Sequence, residues 1–189
     1  MSLTLENITM NAAPAAPAVF EFLDSTHRDI MAQLIQLSPL IDAIESEGLN
    51  AANRDKVRKI LHFFNTEGRQ HHLDEEKHIF PALLSSQDET VVRTIQRLMQ
   101  DHGWLEENWF QIAPSLDAAA NGNLWFDTRE LRHAFDVFEA LYLDHIMLEE
   151  SVAYPEARKR LQAHDRAGMG REMAERRSKT NRRSGDSNA

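Results

Sequence analysis

A chain that repeats one phrase of metal-type ligands has few folds open to it. This sequence reads His, three residues, Glu-Glu, three residues, then an aromatic residue and proline. The first copy is His71, Glu75, Glu76, Phe80, Pro81, and the second is His145, Glu149, Glu150, Tyr154, Pro155. Another histidine stands at nearly the same distance before each copy, His27 before the first and His102 before the second. Residues four apart on a helix share a face and lie about 6 Å apart along its axis. His71/Glu75 and His145/Glu149 would therefore set an imidazole beside a carboxylate on two helices. Four His and two carboxylates in matching halves point to a pair of metal ions.

The rest of the chain reads as helices with punctuation. A first helix is expected from about Ala18 to Glu47, bent near Pro39 and ended by Gly48. A second runs from Asn53, a good N-cap, to Leu84. Ser86 with Glu89 forms a capping box for a third, which passes Pro114 and stops near Asn121-Gly122. Asp127 with Glu130 opens a fourth, reaching about Leu161. Four long helices with short joins predict an all-α, antiparallel up-down four-helix bundle over residues 18–163. Residues 1–17, with their Ala/Pro stretch, read as a flexible lead-in. Residues 164–189 turn polar and basic and are expected to have no fixed fold.

Composition narrows the chemistry. Zero cysteines exclude disulfides, zinc ribbons and thiolate ligation, so any metal must be held by His and carboxylates, and the chain suits a reducing cytoplasm. The net charge is −9, but the tail carries seven Lys/Arg against four Asp/Glu, which leaves the body more acidic still. An acidic body disfavours nucleic acid, because each phosphate contact needs a cation to displace counterions. No basic n-region opens the chain, and no run approaches the ~18 apolar residues of a membrane span. A cytoplasmic protein without a membrane partner is expected.

At ~100° per residue, each helical position can be placed against its apolar stripe. In the second helix Val57, Ile60, Leu61, Phe64, Ile79 and Ala82 define the stripe. Glu75 lies at its centre and His71 about 40° to one side. His72 and Glu76 fall on the opposite flank, an alternative register. His145 and Glu149 lie among Leu131, Ala134, Phe138, Leu141 and Val152, His102 among Ile95, Leu98 and Trp109, and His27 among Phe20, Leu23, Met31 and Leu34. All six donors point inward, where an unpaired charge costs several kcal/mol. Two buried carboxylates on different helices would repel one another unless cations lay between them.

The ligand set is too rich in nitrogen for Ca²⁺ or Mg²⁺ and too large for one tetrahedral zinc. Two iron ions bridged by both carboxylates would use all six donors and leave positions for a bridging oxide and a small molecule; manganese or a mixed pair is the alternative.

His71-His72-Leu73-Asp74-Glu75-Glu76 through Phe80-Pro81, with His102 and His145 through Glu149, resembles the hemerythrin-like HHE cation-binding proteins over roughly residues 18–162. The resemblance implies a bundle holding a non-haem di-iron centre. Its ligands would be His27, His71, Glu75, His102, His145 and Glu149, with the two glutamates bridging. The chain departs from the oxygen-carrying members: Glu106 stands where they have a fifth His, and the last carboxylate is Glu149, four residues after His145. Glu106 lies about 40° from His102 and is either a third carboxylate near the site or a surface residue. The resemblance is to the subgroup linked with nitric oxide, peroxide or iron-sulfur repair more than to reversible oxygen storage.

A ferritin-like reading would use Glu-x-x-His strings. Glu75/His78 and Glu130/His133 match the string, but His133 lies about 120° off its stripe. His62 reads as a surface residue and His78 as core. Asp24, Asp74 and Asp101, close before ligand histidines, are candidates to orient imidazoles. The expected partners are a small gaseous or peroxide ligand (O₂, NO, H₂O₂) and an unidentified electron donor. Redox turnover and reversible binding or sensing both remain open.

Overall fold

Helix α1 (Val19–Ser46) buries Phe20, Leu23, His27, Ile30, Leu34, Leu37, Ile41 and Ile44, a stripe at three- and four-residue steps. Pro39 lies inside it. Gly48 stops it, taking φ +80° while its N–H donates to the Ala43 carbonyl at 2.8 Å. The computed structural model describes residues 19–186, so the expected flexible segment 1–17 lies outside the described residues.

The expected second and fourth helices are each divided. Asn50, three residues before the expected cap, starts α2 (Ala51–Phe63) by accepting from the Asn53 N–H. A π-helical turn, Phe64–Gly68, leads into α3 (Arg69–His78), and α4 (Phe80–Leu84) comes next. The α3/α4 break falls at Ile79, because Pro81 has no N–H to continue the ladder. Asp88, within the predicted capping box, caps α5 (Glu89–Ala120). Asp127 caps α6 (Thr128–Leu148) as expected, accepting from the Arg129 and Glu130 N–H groups. A second π turn, Glu149–Ala153, then joins α6 to α7 (Tyr154–Arg160). Among the described residues there is no strand.

Helix α1 packs on α2 and α6, and α5 packs on the same two, so the long segments close a ring. Its interior has two apolar clusters. One holds Leu34, Ile41, Ile60, Leu105, Phe135 and Phe138, and the other Leu23, Phe80, Ile95, Tyr154 and Met173. His27, His71, Glu75, His102 and Glu149 fall between the two clusters along their segments, and His145 stands at the edge of the first, between Tyr142 and Ile146. The result is a polar layer sealed by apolar packing above and below it.

The tail differs from expectation. Residues Ala163–Asp186 form α8, which packs on α1. Met173 is fully buried in the second apolar cluster. The basic residues find carboxylates of the acidic body: Arg176 and Arg177 both reach the buried Asp74, and Arg177 Nε lies 2.7 Å from Glu67. Arg177 also covers the Phe22 ring at 3.9 Å. Glu172 meets Lys77 at 2.8 Å and His78 at 2.6 Å. Met173, with Met169 packed beside it, is a sparse apolar anchor among charges, and it suffices because the helix's ion-pair partners lie elsewhere in the chain.

Candidate metal centre

The structure brings all six expected donors into the polar layer. His27 comes from α1, His71 and Glu75 from α3, His102 from α5, His145 from α6, and Glu149 opens the second π turn. Every one of them is buried. They form two groups in which one donor atom per residue lies within 4.8 Å of the others. One group is His27, His71, Glu75 and Glu149; the other is Glu75, His102, His145 and Glu149. Both carboxylates belong to both groups.

The donors fit cations on a second count. Both ring nitrogens of His71 and of His145, Nε2 of His102, Oε2 of Glu75 and both oxygens of Glu149 are buried without a hydrogen-bond partner. Buried polar atoms are rarely left so. The nitrogens and oxygens are nonetheless close, with His27 Nε2 3.1 Å and His145 Nε2 3.0 Å from Glu149, and His102 Nε2 3.4 Å from Glu75. Unaligned for hydrogen bonds, these lone pairs converge on common points.

Protons hold the charge in the metal-free chain. Burial works to lower His27, His102 and His145, but the carboxylates overcome it. His27 is raised mainly by Glu149; His102 is raised well above its usual value by Glu149, Glu75 and Glu76; His145 is raised to about 9 by Glu149 and Asp101. Burial and neighbouring His27 hold His71 well below the usual value. Burial and the Glu149 charge push Glu75 up, whereas Glu149 is held well down, against burial, by His145, His102 and His27.

The second glutamate and the aromatic residue of each phrase serve a histidine from outside their own copy. Glu150 Oε1 lies 3.0 Å from His27 Nδ1, and Glu76 Oε1 lies 2.8 Å from His102 Nδ1. With those nitrogens protonated, Nε2 of each ring is left as the donor to a cation. The Tyr154 ring stacks on His27 with centroids 5.3 Å apart, and the Phe80 ring on His102 at 5.4 Å. Only Tyr154 has a hydroxyl, which donates to Glu75 Oε1 and lies 3.1 Å from His27 Nε2. The duplicated phrase thus carries the orienting groups as well as the donors, a signal that the stripe arithmetic passed over.

Glu106 does not join either group. It pairs with Arg69 at the rim of the site. His72, placed by the sequence on the opposite flank, comes in instead: it forms a third group with His102 and His145 and stacks on His102 with centroids 4.1 Å apart. The wider i→i+5 turn at Phe64–Gly68 changes the helical rotation ahead of α3, which a uniform 100° step does not follow. Of the three aspartates, Asp101 approaches His145 Nδ1, at 3.9 Å, whereas Asp24 pairs with Arg158 and Asp74 with the α8 arginines. His62, His133 and Glu130 are exposed, and the partly buried His78 pairs with Glu172.

Fold and donor set together define an all-helical cation-binding protein. The chain matches the hemerythrin HHE cation binding domain over residues 18–176 and belongs to that family. The match extends into α8. It is also similar to an uncharacterised protein of Haemophilus influenzae, 32% identical over 159 residues that make up 83% of this chain and 88% of that one. Among the described residues no helix is long and apolar enough to cross a membrane.

Proposed function

We propose that the protein holds two iron ions, one in each donor group, and uses them to bind or reduce a small ligand such as O₂, NO or H₂O₂. The observation that carries this is the sharing of Glu75 and Glu149: two carboxylates common to two four-donor groups suit two ions and would repel one another around fewer. His27 and His71 would complete one ion's protein ligands, His102 and His145 the other's. The ring of long helices is read as the antiparallel four-helix bundle of the family. A bound iron pair supplies one-electron redox chemistry and coordination positions for a small ligand. The chain's own residues do the rest. Glu76 and Glu150 fix the imidazoles, the Tyr154 hydroxyl holds Glu75, and the two apolar clusters keep bulk water from the layer.

The absence of cysteine fits work in a reducing cytoplasm, with the electron donor a separate molecule. The test is metal analysis of protein produced with ample iron and purified without chelator. Two irons per chain are expected, and less than one overturns the proposal; two manganese ions or one of each would replace the metal but keep the site. Stopped-flow mixing of reduced protein with O₂ or NO then separates the modes. Immediate oxidation marks turnover, and a stable adduct spectrum marks reversible binding or sensing.

A further inference from the structure

The two halves of the centre are built alike but are not equivalent. The copy of the phrase that serves His27 has Ile146 after its histidine, and its Tyr154 stacks with the hydroxyl turned into the layer. The copy that serves His102 has His72 after its histidine, and its stacking ring is Phe80, which has no hydroxyl. Beside the His102 half lies a cavity of about 50 Å³. Phe64, Leu105, Trp109 and Phe138 wall it, His72 and Tyr142 give it a polar end, and Arg69 and Glu106, paired with one another, also border it.

We propose that this cavity is the chamber through which a small anionic or peroxidic ligand reaches the His102/His145 position, with His72 and Tyr142 as the residues that select it. Resting on the two-iron assignment above, this names the side of the centre that reacts. Size restricts the ligand first. A cavity of about 50 Å³ suits a small ligand such as a diatomic, peroxide or azide. Polarity restricts it next. His72 is the residue common to the chamber wall and the His102/His145 group, and its Nε2 lies 3.5 Å from the Tyr142 hydroxyl. The Tyr142 hydroxyl and an imidazole N–H of His72 are the groups at this end that can donate to a ligand's oxygen or nitrogen.

The stack on His102 argues for this role over a ligand's. Two imidazoles bound to one ion point at it along converging directions, whereas the His72 and His102 planes lie nearly parallel, 14° apart, one over the other. His72 thus covers its neighbour and faces the chamber. The Arg69–Glu106 pair accounts for Glu106: the residue that the sequence offered as a ligand is part of the chamber's rim.

The test is azide binding to the iron-loaded ferric protein, followed by its charge-transfer absorption, with iron per chain measured on each sample. Wild type is expected to hold two irons and to saturate with azide. His72→Leu should keep both irons and bind azide at least about tenfold more weakly, since a hydrogen bond to a charged group contributes about that much. Tyr142→Phe should weaken azide less, and Ile146→His, the matching position in the other copy, should leave it within about twofold. Unchanged azide affinity in both His72→Leu and Tyr142→Phe overturns the chamber. Loss of iron in His72→Leu overturns the selecting role and makes His72 a ligand. Wild type without iron overturns the two-iron assignment itself, whatever the variants do.

Discussion

Glu150 Oε1 lies 3.0 Å from His27 Nδ1, a contact that joins the second π turn to α1 across the centre. Glu76 makes the matching contact with His102 at 2.8 Å. Each carboxylate fixes the tautomer and the aim of an imidazole that would bind a cation through its other nitrogen. Outer partners of this kind change affinity rather than existence of a site, by 10- to 100-fold. Glu76→Ala and Glu150→Ala should therefore still fill at saturating metal but lose it to a competing chelator about 10- to 100-fold more readily. Chelator titration measures this, and wild-type affinity in both variants would remove the orienting role.

Glu75 and Glu149 should behave differently, because each belongs to both donor groups. Glu75→Ala or Glu149→Ala is expected to bring bound metal below one ion per chain, with helicity by circular dichroism largely kept. If either variant retains two ions after desalting, the carboxylates are not shared.

Metal uptake should depend on pH in a set direction. His145 is raised to about 9 in the metal-free chain, and a cation needs it neutral, so loading releases a proton below that pH. Apparent affinity is expected to climb as pH rises from 6 toward 9. The metal-free protein should follow the opposite trend. A folded-state value above the ordinary 6.5 contributes stability that is complete below 6.5 and lost as pH rises through about 9. Thermal melts of both forms across this range check the two slopes together, and parallel slopes would refute the assignment.

Acid should release α8. Glu172 is held down to about 2, against burial, by Lys77, His78 and Arg176, from an ordinary value of 4.5. Its contribution is present above 4.5 and disappears as pH falls through about 2. Amide signals of α8 followed by NMR should weaken over that window. Glu172→Gln should loosen α8 already at neutral pH and flatten the acid response; an unchanged response in the variant would assign the transition to other groups.

The inward placement of His27, His71, Glu75, His102, His145 and Glu149 could be read from the chain because duplication and stripe geometry agree, and two buried carboxylates on different helices call for positive charge between them. Three things could not be read. The π turns at Phe64–Gly68 and Glu149–Ala153 carry no distinctive punctuation, yet the first changes the helical rotation ahead of His72, which stacks on His102. Glu106 has the right phase for a ligand, and only the position of Arg69, on another helix, shows where its charge is spent. Helix α8 has a weak apolar signal because Met173 is its main anchor, and the carboxylates that receive its arginines lie on α3 and its entry turn.

Asp74 sits on α3 between His71 and Glu75, buried and bound by Arg176 and Arg177. Translation delivers those arginines after every one of the six donors has been made. A nascent chain that has emerged only as far as α7 already holds a full set of ligands, but the helix carrying two of them contains a carboxylate whose counter-charges have yet to be synthesised. Helix α3 can therefore gain this outer brace only after all six candidate donors have been made.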